Sequence, residues 1–180
     1  MKIIFIDRDG VINKDLFAYV TSWERFTFLD GSLEALKKLT DSGYEIVIIS
    51  NQAGVSKGDY SLEELNVINE NMLKEIETVA GKRPNVYYCT HTDEDNCDCR
   101  KPKLGLFRQA EKELGKVDYK NTYYIGDQQR DIETAKTLGA KSILVLSGRT
   151  DREELKDWDI KPDYVKENLL DAVNIILGES

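Results

Sequence analysis

The chain has no long apolar run. None of its 180 residues belongs to a stretch of membrane-spanning length. The first apolar segment, Ile3 to Ile6, offers only four residues before Asp7, too few for a signal peptide or a spanning helix. Internal repeats, low-complexity tracts and Pro/Gly linkers are also missing, so nothing marks a second domain. One domain with a substantial core is expected over residues 1–180. Positive charge is in deficit, with 25 Lys and Arg against 33 Asp and Glu, a net charge of -8. That balance excludes broad binding to nucleic acid or to anionic membranes. An anionic ligand would need a local cation, either a metal or a few placed basic side chains. The expected setting is the cytoplasm, and the expected partner of a monomeric chain is a small molecule. Scarcest of all are cysteine and histidine: three Cys and one His, all four within residues 89–99.

What is present alternates. Short apolar runs read as strands buried on both faces: Lys2 to Ile6, Glu45 to Ser50, Asn85 to Cys89, Thr122 to Gly126 and Lys141 to Leu146, with a brief strand near residues 163–165. Between them lie helical patterns. Ser32 to Ser42 carries Leu33, Leu36 and Leu39 and stops at Gly43. Ser61 with Glu64 makes a capping-box signature for a helix to about Val79, with Leu62, Leu65, Ile68, Met72, Ile76 and Val79 at core spacing. Two further helices place Leu104, Phe107, Ala110 and Leu114, and Ile132, Ala135 and Leu138, inward. Residues 151–180 add a short helix and a final helix from Asn168 to Leu177. Residues 14–31 carry aromatics without a helical period and read as a flap-like hairpin or loop. Residues 53–58 read as a glycine-rich loop. This alternation predicts an α/β fold, a doubly wound, Rossmann-like parallel sheet with helices on both faces.

Ligands of such sheets gather at the carboxyl ends of the strands. The first strand ends on Asp7-Arg8-Asp9-Gly10, with two carboxylates on one side of an extended backbone. The second ends on Ser50-Asn51-Gln52, and the fourth on Asp127, with Asp131 one helical turn on. Lys101 follows the Cys/His loop. Asp7 and Asp127, with Asp9 contributing a backbone carbonyl, offer oxygen ligands to one Mg²⁺, and Asp131 can support it. Ser50 can donate to a phosphoryl oxygen and Lys101 can offset its charge. Asp7 can attack phosphorus, and Asp9 can move the proton of the leaving oxygen and then of water.

These motifs, in this order, resemble the haloacid dehalogenase (HAD) superfamily of phosphatases over nearly the whole chain. The resemblance implies Mg²⁺ dependence and an aspartyl-phosphate intermediate, with Asp7 as nucleophile, Asp9 as acid/base, Ser50 and Lys101 as phosphate ligands and Asp127 as metal ligand. It also implies a HAD-like fold. Many members carry a cap domain, but the intervals 10–49 and 51–100 are filled by the elements above, so none is expected.

Cys89-x-His91-x₅-Cys97-x-Cys99 offers three thiolates and one imidazole, a closed set suited to structural Zn²⁺. Unligated cysteines or a disulfide are the alternatives, and the cytoplasm disfavours a disulfide. This loop is similar to two groups of the superfamily, the heptose 1,7-bisphosphate 7-phosphatases and the histidinol-phosphate phosphatases. Gly10-Val11-Ile12-Asn13, Gly54 to Gly58 and Gly105 favour the first. The expected reaction is then hydrolysis of the C7 phosphate of a heptose bisphosphate, a step that serves carbohydrate and lipopolysaccharide-precursor synthesis. A second phosphate requires a second anion site, for which Lys57 and Arg100 are candidates. Asn13, Asn51 and Gln52 complete the expected substrate contacts. The contrasting expectation is a zinc-stabilised binding module without catalysis.

Overall fold

The computed structural model describes residues 2–179. Six strands form one parallel sheet: β1 (Lys2–Ile6), β2 (Tyr44–Asn51), β3 (Asn85–Cys89), β4 (Tyr123–Gly126), β5 (Lys141–Val145) and β6 (Tyr164–Lys166), in the order β3-β2-β1-β4-β5-β6. The direction of winding reverses between β1 and β4. A crevice opens at such a switch point because the crossovers on either side leave in opposite directions. Asp7 and Asp127, the residues immediately after these two strands, therefore face each other across it.

Strand alternation splits the core in two. Ile4 and Ile6 of β1 join Ile46 and Ile48 beneath α1 (Ser32–Asp41), α3 (Leu62–Ala80) and α6 (Leu169–Leu177). Ile3 and Phe5 point the other way, with Val47 and Ile49, onto α4 (Gly105–Leu114) and α5 (Gln129–Leu138). A sheet covered on both faces explains why its strands are unbroken apolar runs. The capping box at Ser61 and Glu64 forms as expected, with both reciprocal hydrogen bonds, at 3.1 and 2.6 Å.

Three expectations need correction. Leu62 and Val79 of α3 are exposed, at 45% and 39%; the buried stripe runs through Leu65, Ile68, Met72, Ile76 and Ala80 instead. Residues 54–57 are not loop but the single-turn helix α2 (Gly54–Lys57), closed by Gly58 at a φ of 80°. The short helix expected after residue 151 is a 3-10 turn, Glu154–Asp157.

The aromatic segment divides its labour. Trp23, Phe26 and Phe28 pack together against the core, with ring centroids 4.9 to 6.5 Å apart. Lys14 N–H donates to Thr27 and Leu29 N–H to Ile12, which ties the loop across its base like a hairpin. Only Phe17 and Tyr19 are sent toward the crevice. The connections from β1 to β2 and from β2 to β3 are taken up by this loop and by α1, α2 and α3, of which α1 and α3 share the core beneath the sheet. Among the described residues no helix is long and apolar enough to cross a membrane.

Candidate active site

Three buried carboxylates, Asp7, Asp127 and Asp131, bring one oxygen each within 4.8 Å of one another. Lys101 Nζ reaches into the group, 2.9 Å from Asp7 Oδ1 and 2.8 Å from Asp131 Oδ1, and donates to the carbonyl of Ile49 at 3.2 Å. Its side chain is 1% exposed. Burial opposes the charge on Lys101, but Asp131 and Asp7 more than compensate and raise its pKa. Asp7 Oδ1 also accepts from Arg8 N–H at 2.7 Å, and no group among the described residues donates to Oδ2.

One lysine cannot neutralise three acids. Burial, offset in part by Lys101 but reinforced by Asp131, pushes Asp7 up to about 7. Burial, Asp7 and Asp131 push Asp127 well above the usual carboxylate range. Asp127 Oδ2 accepts from Arg149 N–H at 2.9 Å, but Asp127 Oδ1 is buried with no partner among the described residues. An orphaned carboxylate oxygen inside an acid cluster is costly unless a cation completes it. The oxygen donors and the surplus negative charge fit a hard divalent ion such as Mg²⁺. Space is kept for the cluster by glycine: a Cβ on Gly148 or on Gly10 would lie 2.1 or 2.4 Å from Asp127 Oδ2.

The sign of the pH effect follows. Between the unfolded value near 4 and the folded value near 7, native Asp7 holds a proton that the unfolded chain has lost. Without a cation, stability therefore falls as pH rises through that window. Ion binding must displace those protons, so Mg²⁺ affinity is expected to drop as pH falls below about 7, by roughly tenfold per unit for each proton displaced. Calorimetric titration in buffers of different ionisation enthalpy measures the release; an affinity constant between about pH 6 and 8 would refute it.

The Asp9 side chain stays out of the acid cluster, leaving only its backbone carbonyl to be offered to an ion. Oδ1 accepts from Asn13 at 2.9 Å and Arg8 at 3.1 Å, and Oδ2 from Gln52 at 2.7 Å. Burial works against its charge, but Arg8 and the donors from Asn13, Arg8 and Gln52 win, and its pKa is lowered. Arg8, wholly buried, is itself held by Asn69 of α3 at 3.2 Å.

That arrangement corrects two expected substrate contacts. Asn13 is fully buried and spends its amide on Asp9 and on the carbonyl of Lys14, which it reaches at 3.1 Å. Gln52 is also buried, donating to Asp9 and to Ser50 Oγ while accepting from Tyr60. Neither lines the cleft. A buried acid needs donors, and these two amides are committed to supplying them. Ser50 lies beneath the cleft, its oxygen accepting from Gln52 at 2.7 Å. Asp131 is bound to Lys101, to Tyr124 OH at 2.9 Å and to Gln128 N–H at 3.1 Å, which makes it the brace of Lys101.

The cleft above the acids, about 220 Å³, is lined by Asp7, Asp9, Asn51, Arg100 and Lys101, as expected. Asn51 clamps the backbone of Lys101 with two hydrogen bonds, at 3.0 and 3.2 Å. Lys57 is outside, its ammonium 5.4 Å from the ring of Tyr19, which forms part of the wall. Residues not foreseen also line it: Asp15, Phe17 and Tyr19 from the aromatic loop, Gln128 and Arg130 at the start of α5, and Arg149 after β5. Arg149 is tied to Asp15 by two hydrogen bonds, at 2.5 and 3.2 Å. Applying the strand-end rule to β5 would have found Arg149.

Beside the cleft, Cys89, His91, Cys97 and Cys99 converge. Their sulfurs are 3.0 to 3.7 Å apart, and His91 Nδ1 is 3.2 and 3.6 Å from two of them. No pair is at disulfide distance, and all three cysteines are free. A tetrahedral zinc–thiolate site has sulfurs about 3.8 Å apart, so one ion would seat with small adjustment. The backbone N–H of Arg100 points at Cys97 Sγ, 3.4 Å away. Burial opposes the Cys97 thiolate, but this and other hydrogen bonds bring its pKa down to about 6. Gly105 lets the loop close, since a Cβ there would lie 2.4 Å from the carbonyl of Asp98.

The relatives agree with this geometry. The HAD-hydrolase-like family model matches residues 98–172. D-glycero-beta-D-manno-heptose-1,7-bisphosphate 7-phosphatase of Neisseria meningitidis is 32% identical over 100% of this chain and 97% of its own length. The enzyme of that name from Haemophilus ducreyi is 36% identical over 96% of each chain. Among solved structures, D,D-heptose 1,7-bisphosphate phosphatase from B. bronchiseptica, complexed with magnesium and phosphate, superposes with a TM-score of 0.91 at 32% identity, covering 100% of both chains. The chain belongs to the D-glycero-β-D-manno-heptose-1,7-bisphosphate 7-phosphatase family of HAD-like hydrolases.

Proposed function

We propose that this chain, acting as one catalytic domain over residues 1–180 with the zinc loop at 89–99, is a Mg²⁺-dependent phosphatase. It removes the C7 phosphate of D-glycero-β-D-manno-heptose 1,7-bisphosphate. The observation that carries the reading is the orphaned, buried Asp127 oxygen in a cluster with Asp7 and Lys101, at the sheet's switch point.

Asp7 and Asp127 would hold the ion, with Asp131 behind them; Asp9 contributes no side-chain ligand. Bound Mg²⁺ supplies positive charge against which phosphate and Asp7 can approach one another. An Asp7 carboxylate oxygen attacks phosphorus, and the bond from phosphorus to the C7 oxygen breaks. Lys101 and Ser50 balance and orient the phosphoryl oxygens. Asp9 gives the leaving oxygen its proton, then takes one from the water that splits the aspartyl phosphate. Arg8, Asn13 and Gln52 favour the ionised form of Asp9 in the free site. A phosphate dianion arriving beside it raises its proton affinity and makes it an acid when needed. Arg100 and Asn51, on the cleft wall, meet the rest of the substrate.

A side-by-side assay with Mg²⁺ decides the substrate. The heptose bisphosphate is expected to exceed histidinol phosphate by about a hundredfold in kcat/KM. The reverse ranking would move the chain to histidinol phosphate, and inertness toward every ester tried would favour a binding module.

A further inference from the structure

Four cations line the cleft, and three are already matched by acids. Lys101 pairs with Asp7 and Asp131, Arg149 with Asp15, and Arg100 with Asp93, the last through a 2.6 Å hydrogen bond. Arg130 forms no ion pair among the described residues. None of the acids nearest it in sequence bonds to it: Asp131 is held by Lys101, Tyr124 and Gln128 N–H, Glu133 by Gln129 at 3.1 Å, and Asp127 takes Arg149 N–H on one oxygen and keeps the other in the acid cluster. What holds the guanidinium is a neutral group, the Gln128 side-chain oxygen, 2.5 Å from Arg130 Nη2. An amide steers an arginine without cancelling its charge, and four N–H donors stay free. The backbone beneath is rigid, because Arg130 lies in the first turn of α5 and Thr134 Oγ1 donates to its carbonyl at 2.6 Å.

Arg130 also shares a wall with Arg100. Both line the cleft, and the acid that Arg100 pairs with, Asp93, is itself largely exposed. Two guanidinium groups against one acid leave that wall net positive in a chain of net charge -8. Planar guanidinium forks are the groups best suited to a phosphate dianion.

We propose that Arg130, together with Arg100, forms the anchor for the phosphate that is not hydrolysed, and so sets the preference for a bisphosphate over a monoester. The inference rests on the phosphatase reading above. It moves the second anion site away from Lys57, which sits over the Tyr19 ring and does not line the cleft, and onto the start of α5.

The test compares heptose 1,7-bisphosphate with heptose 7-phosphate in the wild type, in Arg130→Gln and in Arg130→Lys, each with Mg²⁺. In Arg130→Gln, KM for the bisphosphate is expected to rise at least about tenfold more than KM for the monophosphate, while kcat changes much less. Arg130→Lys should recover part of that difference, because it keeps the charge and loses only the fork. Equal changes in KM for both substrates, or none, would overturn the anchor. So would a wild type that does not distinguish them, although the phosphatase reading would stand. A wild type inert toward both would remove the reading itself, and the anchor with it.

Discussion

Asp7→Asn is expected to lose at least about 10⁴-fold in kcat while keeping its fold, because removing a covalent nucleophile removes the reaction path and not merely a contact. Asn is close in size, so the strand end need not move. It also removes charge from a crowded acid cluster in which Asp7 is held up to about 7 by burial first of all. The variant should therefore melt no lower than the wild type, and somewhat higher at neutral pH without Mg²⁺. Substrate binding should persist through Arg100 and Lys101, although Lys101 loses one of its two acids. Rates of phosphate release and a thermal melt together check the prediction. Appreciable turnover would remove Asp7 as the attacking group, and a collapsed fold would make it structural.

Removing zinc should have the second-largest effect, and should act mainly on KM. Residues 90–104 contain no helix or strand, and little of the segment is buried. A polar loop of that length cannot pay its ordering entropy from a core of its own. The two functional residues it carries are tied down unequally. Lys101 keeps the Asn51 clamp, Asp7, Asp131 and the Ile49 carbonyl, all outside the loop. The Arg100 side chain bonds, among the described residues, only to Asp93 and to the His91 carbonyl, both inside it, and its backbone N–H to Cys97 Sγ, also inside. Loss of the ion should therefore scatter Arg100 while Lys101 stays close to its place. Cys99→Ser is expected to lose stoichiometric zinc by elemental analysis and to lower kcat/KM for the bisphosphate about a hundredfold, most of it in KM. Unchanged zinc content, or a loss confined to kcat, would contradict this division.

The contrast between Lys101 and Arg100 also shows what a chain of letters can and cannot tell. The sheet was readable because both its faces are covered: Ile3 to Ile6 and Ile46 to Ile49 had to be unbroken apolar runs. Topology then placed Asp7 and Asp127 together across the switch point. The Cys/His cluster was readable because its ligands are scarce and close in sequence. Partnerships between distant residues were not readable. Asp15 and Arg149 meet across 134 positions of chain, and neither carries a local signal. Asn13 and Gln52 looked like substrate contacts because they follow strands, where ligands bind. In the fold that position instead puts them beneath Asp9, whose burial demands donors. Helical spacing likewise placed Leu62 and Val79 inside, but the covered face of α3 starts only at Leu65, and at its carboxyl end Ala80 is buried while Val79 reaches solvent.

The most direct measurement is rapid acid quench of the working enzyme, supplied with Mg²⁺ and heptose bisphosphate, followed by mass spectrometry of the peptide that contains residue 7. A phosphoryl group on the Asp7 carboxylate, appearing and decaying at rates that account for turnover, is the predicted result. Sustained turnover with that peptide always unmodified, or with the phosphoryl group on another residue, would contradict the account at its centre.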